Sequence, residues 1–226
     1  MNIVMIVLIV LGMISQGCFV YCEWKKNWTL AVVLKGLASV FFVALGIWCA
    51  SKTAYSLYDK LIIAGLIFGF AGDVCLNLRH VFKKIGDKIF LCGVAAFLFG
   101  HIIYLVAVVP SATRIVIDII IGVIIAASLL FYIFKTMKVK IAFKIFGIFY
   151  LGAIIIMTTM AIDAAFAAPV LKNLLFAFGA VLFTASDIVL IFNTFSGEET
   201  FPRRITNLSL YYIAQICIAL TTMFIA

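Results

Sequence analysis

Gly65-Leu-Ile-Phe-Gly-Phe-Ala-Gly-Asp73-Val-Cys-Leu76 is an apolar run broken by a single carboxylate. A second run, Gly179-Ala-Val-Leu-Phe-Thr-Ala-Ser-Asp187-Ile-Val-Leu190, has the same pattern. In both, Gly stands eight residues before the aspartate, Ala two before, a small residue directly before and Leu three after. Each lies within an apolar stretch long enough, at about 20 residues, to cross roughly 30 Å of hydrocarbon. An ionisable side chain near a bilayer centre costs about 2.5–3.5 kcal/mol on insertion scales. A chain that accepts this cost twice, in matching local settings, points to carboxyls with a function.

Working outward, comparable stretches recur along the chain. Eight helices are expected, over about 3–22, 29–50, 60–78, 89–109, 115–134, 142–163, 169–195 and 205–225. These runs are apolar on every face, whereas barrel strands alternate apolar and polar residues, so a β-barrel is excluded. The composition, 67% hydrophobic and 12% charged, is far from that of soluble domains. The fold class is therefore an all-α integral membrane protein, with residues 1–226 forming a single polytopic domain. The first helix lacks a basic leader and a small-residue cleavage site, and reads as a span.

Charge follows position. Twelve of the 17 Lys and Arg residues fall in the loops after helices 1, 3, 5 and 7, whereas Lys52, Lys60, Arg114 and Lys172 lie on the other side and Lys35 lies inside helix 2. The positive-inside rule then puts the odd loops in the cytoplasm and both termini outside it. The net charge of +8 is thus a topology signal that also suits anionic membrane lipids; no nucleic-acid partner is expected. The six cysteines have no CxxC spacing and read as packing thiols. With only two histidines, His80 being assigned to a solvated loop, a three-histidine zinc site cannot be built, and no metal or other cofactor is expected. No Gly-x-Ser-x-Gly elbow is present either.

Trp28 and Trp48 are 20 residues apart, about 30 Å of helix, which suits two interfacial aromatic belts. On that ruler Lys35, Asp73, His101, Tyr150, Asp187 and Gln215 fall into one slab between one leaflet and the midplane. His101 and Tyr104 share a helix face at i, i+3. Tyr211 and Tyr212 read as belt residues, and Asp118 and Asp163, nearer helix ends, as having no special role. An ungapped shift of 114 residues places Asp73 on Asp187, His101 on Gln215, and Lys35 one residue short of Tyr150. That is the signature of a 4+4 parallel repeat.

The ordered set Lys35, Gly72-Asp73, Gly100-His101-x-x-Tyr104, Tyr150, Ser186-Asp187 and Tyr212-x-x-Gln215 resembles the YhhN-like family, which includes the lysoplasmalogenases. Two positions depart from the family pattern: Gly36 where Pro usually follows the lysine, and Leu190-Ile191 in place of Leu-Ala. The resemblance implies an ether-bond hydrolase that cleaves the vinyl ether of a lysophospholipid substrate, releasing a fatty aldehyde and a glycerophospho-headgroup. It implies Asp73 and Asp187 as the catalytic pair, with Lys35, His101, Tyr104, Tyr150, Ser186 and Gln215 positioning substrate and water. Such hydrolysis starts with proton donation to carbon and ends with water capturing an oxocarbenium-like centre. One carboxyl must then carry a proton and the other stay ionised, as in glycosidases. The sequence does not distinguish which is which. The rival reading is a proton- or sodium-coupled carrier for small solutes.

Overall fold

A computed structural model describes residues 2–53, 55–197 and 199–224. Eight helices account for almost all of them: α1 (Ile3–Trp24), α2 (Trp28–Ala50), α3 (Leu57–Val81), α4 (Gly86–Val108), α5 (Ile115–Thr136), α6 (Ile141–Ala167), α7 (Leu171–Phe195) and α8 (Phe201–Leu220). Each is part of a segment long and apolar enough to cross a membrane, and the chain is a multi-pass helical bundle. Local chemistry sets the helix starts. Asn2 and Asn27 cap α1 and α2 through their side-chain oxygens, and Ser56 with Asp59 forms a reciprocal capping box that begins α3 three residues before its apolar run.

Neighbouring helices pack in sequence within each half, α1 on α2 on α3 on α4 and α5 on α6 on α7 on α8. The main contacts between halves are α2 with α8 and α4 with α6. Exchanging the halves, so that α2 becomes α6 and α8 becomes α4, maps these two interfaces onto each other, the relation a 4+4 arrangement calls for. α5 lies at the periphery and buries only Asp118, Gly122, Ala126 and Ile133. That stripe of mostly small residues against α6 is the way membrane helices approach closely.

α3 packs between α2 and α4 and touches α8, and its glycines set where the site side chains go. A methyl group at Gly65 would overlap the Tyr104 ring, one at Gly69 would sit 2.5 Å from the Gln215 amide nitrogen, and one at Gly72 would meet the Phe97 ring at 2.5 Å. The missing side chains let α4 and α8 lay polar and aromatic groups directly against the α3 backbone.

Basic residues from the odd-numbered loops collect at one end of the bundle. Arg79, Lys83, Lys84, Lys88, Lys138 and Lys140 line one cavity there. Lys26, Arg79 and Arg204 line another beside it. Two arginines assigned to loops from sequence are in fact helical and enclosed. Arg204 on α8 makes a two-pronged pair with Glu23 of α1, at 2.7 and 2.9 Å, and Arg79 stands in the last turn of α3. His80 is not a solvated loop residue: it closes α3, half-buried, stacked 4.4 Å from the Trp28 ring.

Candidate active site

Asp73 and Asp187 line the same small cavity among α2, α3, α4, α7 and α8. Its volume of about 20 Å³ is enough for one water molecule. The cavity joins two carboxyls that are 114 residues apart in sequence, and their partners differ sharply.

Asp73 is enclosed by donors. The Lys35 ammonium lies 3.1 Å from Oδ1, with both side chains only 2% exposed. Oδ2 accepts from the Ser39 hydroxyl at 2.6 Å and from the Tyr211 hydroxyl at 2.6 Å. Lys35 and Ser39 are one turn apart on α2, so one helix face delivers both. Tyr211 is itself held: it accepts from the Gln215 amide at 3.1 Å, and Gln215 Oε1 accepts from the Tyr104 hydroxyl at 3.1 Å. A directed chain therefore runs Tyr104, Gln215, Tyr211, Asp73. With an ammonium on one oxygen and two hydroxyls on the other, Asp73 is built as the anionic half of an ion pair.

Asp187 has a leaner setting. Oδ2 accepts from the Tyr150 hydroxyl at 2.5 Å. Behind it, His101 Nε2 lies 3.3 Å from the Tyr150 oxygen and 3.8 Å from the carboxylate. Tyr150 has one proton, and donating it to Asp187 leaves its oxygen to accept from His101 Nε2–H. His101 Nδ1 then carries the lone pair, and it is buried with no hydrogen-bond partner among the described residues. Oδ1 of Asp187 likewise has none, which leaves it open to carry a proton. Asp187 also borders a second space that Asp73 does not reach: an apolar slot of about 60 Å³ between α3, α4, α6 and α7, walled by Phe97, Phe143, Phe146 and Gly147.

The two clusters are built alike. Asp73 on α3 is met from α2 and α8, and Asp187 on α7 is met from α6 and α4. Of the residues singled out from sequence, Lys35 touches Asp73, while Tyr150 and His101 back Asp187. Tyr104 and Gln215 border neither cavity; Gln215 lies one hydrogen bond behind Tyr211 and Tyr104 two. Ser186 borders the shared cavity, but its hydroxyl donates to the Asn207 carbonyl at 2.9 Å and so ties α7 to α8.

Four residues were misplaced or passed over from sequence, although Tyr212 stands in the motif that carries the family resemblance. Tyr211 and Tyr212 are buried at 4% and 3%, and so are not belt residues; Tyr212 reaches the Lys35 carbonyl at 3.4 Å. Ser39 drew no notice. Tyr211 stands one turn before Gln215, and Ser39 one turn after Lys35, so i, i+4 spacing from a recognised residue was the available signal. Asp163, given no role, binds the Thr113 and Arg114 backbone amides and the Arg114 guanidinium across the turn between α4 and α5. The described residues contain no group of three or more His, Cys, Asp or Glu arranged to hold a metal ion.

This arrangement can hold one carboxyl ionised beside a water-sized space and present another, with a free oxygen, to an apolar ligand. The YhhN family profile matches residues 30–222, which takes in Lys35, both aspartates and every partner named above. No curated protein and no solved structure matches the chain. With the match running over most of its length, the chain belongs to the YhhN family.

Proposed function

We propose that the protein is a lysoplasmalogenase, hydrolysing the vinyl-ether bond of a single-chain ether phospholipid, with Asp187 as the acid and Asp73 as the base. The carrying observation is the asymmetry of the two carboxyls: Asp73 is saturated by an ammonium and two hydroxyls, whereas Asp187 keeps one oxygen free and faces the apolar slot. The slot takes the hydrocarbon next to the ether, so the vinyl carbon meets Asp187 and not Asp73.

Proton transfer from Asp187 to the carbon β to the ether oxygen leaves an oxocarbenium centre and an Asp187 carboxylate, which the Tyr150 hydroxyl stabilises with His101 behind it. A water in the shared cavity attacks the cation as Asp73 takes its proton, and a hemiacetal results. Asp73 then returns that proton to the departing glycerol oxygen while Asp187 recovers one from the hemiacetal hydroxyl. Aldehyde and alcohol leave, and both carboxyls return to their starting states. Lys35 is a positioning residue for Asp73 here, and Tyr104, Gln215 and Tyr211 fix the orientation of that same carboxylate. On the positive-inside rule the basic end faces the cytoplasm, with both termini on the opposite side.

The test is aldehyde release from a lysoplasmalogen by the purified protein in detergent. Asp73→Asn and Asp187→Asn, each shown to be folded, are expected to lose activity by at least about 100-fold. Full turnover by either variant would refute the mechanism. No turnover by the parent protein, together with uptake of solute into liposomes driven by a pH gradient, would establish the carrier instead.

A further inference from the structure

At the basic end, the half-buried Arg79 guanidinium lies 4.6 Å over the Phe90 ring, and its Nε donates to His80 Nε2 at 3.2 Å. His80 is in turn stacked on Trp28. The ring contact and the hydrogen bond to an anchored imidazole together restrain the guanidinium. Among the described residues neither Nη of Arg79 has a hydrogen-bond partner and no carboxylate pairs with it. This contrasts with Arg204, whose Nε and Nη2 are held by Glu23 and Asn77.

Arg79 borders a cavity of about 710 Å³ that also collects Lys83, Lys84, Lys88, Lys138 and Lys140. Its acidic lining is Asp87, already paired with Lys140, and Glu199. Phe90, Phe143, Thr194 and Phe195 line both this cavity and the apolar slot that ends at Asp187. The basic mouth and the slot are thus neighbouring compartments separated by three aromatic rings, with Phe90 centred 5.4 Å from Phe143 and 6.4 Å from Phe195. Along α3, Arg79 is six residues beyond Asp73, about 9 Å of helix, which a glycerol bridge and an arginine side chain together span.

We propose that Arg79 binds the phosphate of the substrate headgroup, so that the protein selects single-chain ether lipids carrying a phosphodiester. A planar fork with free N–H groups, held by a ring contact and a hydrogen bond through Nε, is the geometry that recognises phosphate through two hydrogen bonds. The surrounding lysines supply the field without the fork. The inference rests on the hydrolase reading for its substrate, but binding tests it separately from turnover.

The binding probes are a 1-O-alkyl-glycero-3-phosphoethanolamine, whose saturated ether cannot be cleaved by this route, and the 1-O-alkylglycerol of the same chain. The protein is expected to bind the phosphate-bearing lipid at least about tenfold tighter. Arg79→Gln is expected to abolish that preference and leave alkylglycerol affinity unchanged, which also shows that the variant is folded. Arg79→Lys, keeping charge without the fork, falls between the two. In turnover with alkenyl substrates, Arg79→Gln raises KM for the phosphate-bearing lipid with little change in kcat. Equal affinity of the parent protein for both ether lipids, or equal weakening of both by Arg79→Gln, overturns the proposal. Displacement of the lipid by an equal concentration of inorganic phosphate also overturns it, reassigning the mouth to a free anion. If no alkenyl lipid yields aldehyde, the hydrolase reading fails, and the binding comparison still decides the role of Arg79.

Discussion

Replacing Lys35 with Met removes the ammonium 3.1 Å from Asp73 and keeps an apolar stem of similar length where both side chains are 2% exposed. Removing one partner of a buried ion pair costs about 3–5 kcal/mol, because an uncompensated charge stays behind. Asp73 would retain its bonds from Ser39 and Tyr211, so the expected loss is at the lower end, about 3 kcal/mol. Asp73→Asn alone is expected to cost a similar amount, since it strands the ammonium. The double variant Lys35→Met/Asp73→Asn removes both charges and leaves an amide that the two hydroxyls can still reach. Its loss should be about 1 kcal/mol, milder than either single change, a non-additivity expected only of groups in contact. The assay is thermal or SDS-induced unfolding of the four proteins in one detergent, with aldehyde release followed alongside. All three variants are expected to be inactive, since none retains an ionised Asp73 with its counter-ion. A Lys35→Met protein as stable and active as the parent, or a double variant as damaged as the sum of the singles, would refute the ion-pair reasoning.

Tyr150→Phe removes the hydroxyl that links His101 to Asp187, and should lower kcat by about 10²-fold with KM nearly unchanged, read from aldehyde release. Gln215→Leu leaves the Tyr104 hydroxyl buried without its acceptor and frees Tyr211; a stability loss of about 1–3 kcal/mol is expected in unfolding measurements, with reduced activity. Gly147→Leu is expected to separate stability from activity. A β-carbon at Gly147 meets nothing within 4 Å, and replacing a helical glycine gains up to about 1 kcal/mol of helix propensity, so the protein should be at least as stable. The added side chain intrudes on the slot beside Asp187, so KM for long-chain substrates should rise about tenfold, most for the longest chains.

The eight spans were legible because each run is apolar on all faces, and only the ends moved. α3 begins at Leu57 where about 60 was expected, since its start is set by the Ser56–Asp59 capping box rather than by hydropathy. α8 begins at Phe201 rather than about 205, and this brings Arg203 and Arg204 inside the helix. Of the site, the aspartates, Lys35, His101 and Tyr150 stood out because their burial is costly. Ser39 and Tyr211 did not, because a serine in a membrane helix is an ordinary packing residue and a tyrosine pair near a helix end is an ordinary belt. The unlike surroundings of the two aspartates were also hidden: the flanking words match, and the difference comes from side chains on α2, α4, α6 and α8. Likewise the loop-charge count picked out residues that gather at one end of the bundle but hid the unpaired fork of Arg79 and the paired one of Arg204.

Each aspartate is carried by one half of the chain and completed by a helix from the other, α8 for Asp73 and α4 for Asp187. Neither half alone can therefore assemble a site, and α8, synthesised after the other seven helices, closes Asp73. In a symmetric pair of identical four-helix units the two carboxyls would have identical neighbours and the same affinity for a proton. Joining the halves in one polypeptide lifts that constraint. It lets lysine accumulate on one side and histidine with tyrosine on the other, so two equivalent residues can take opposite parts in a single reaction.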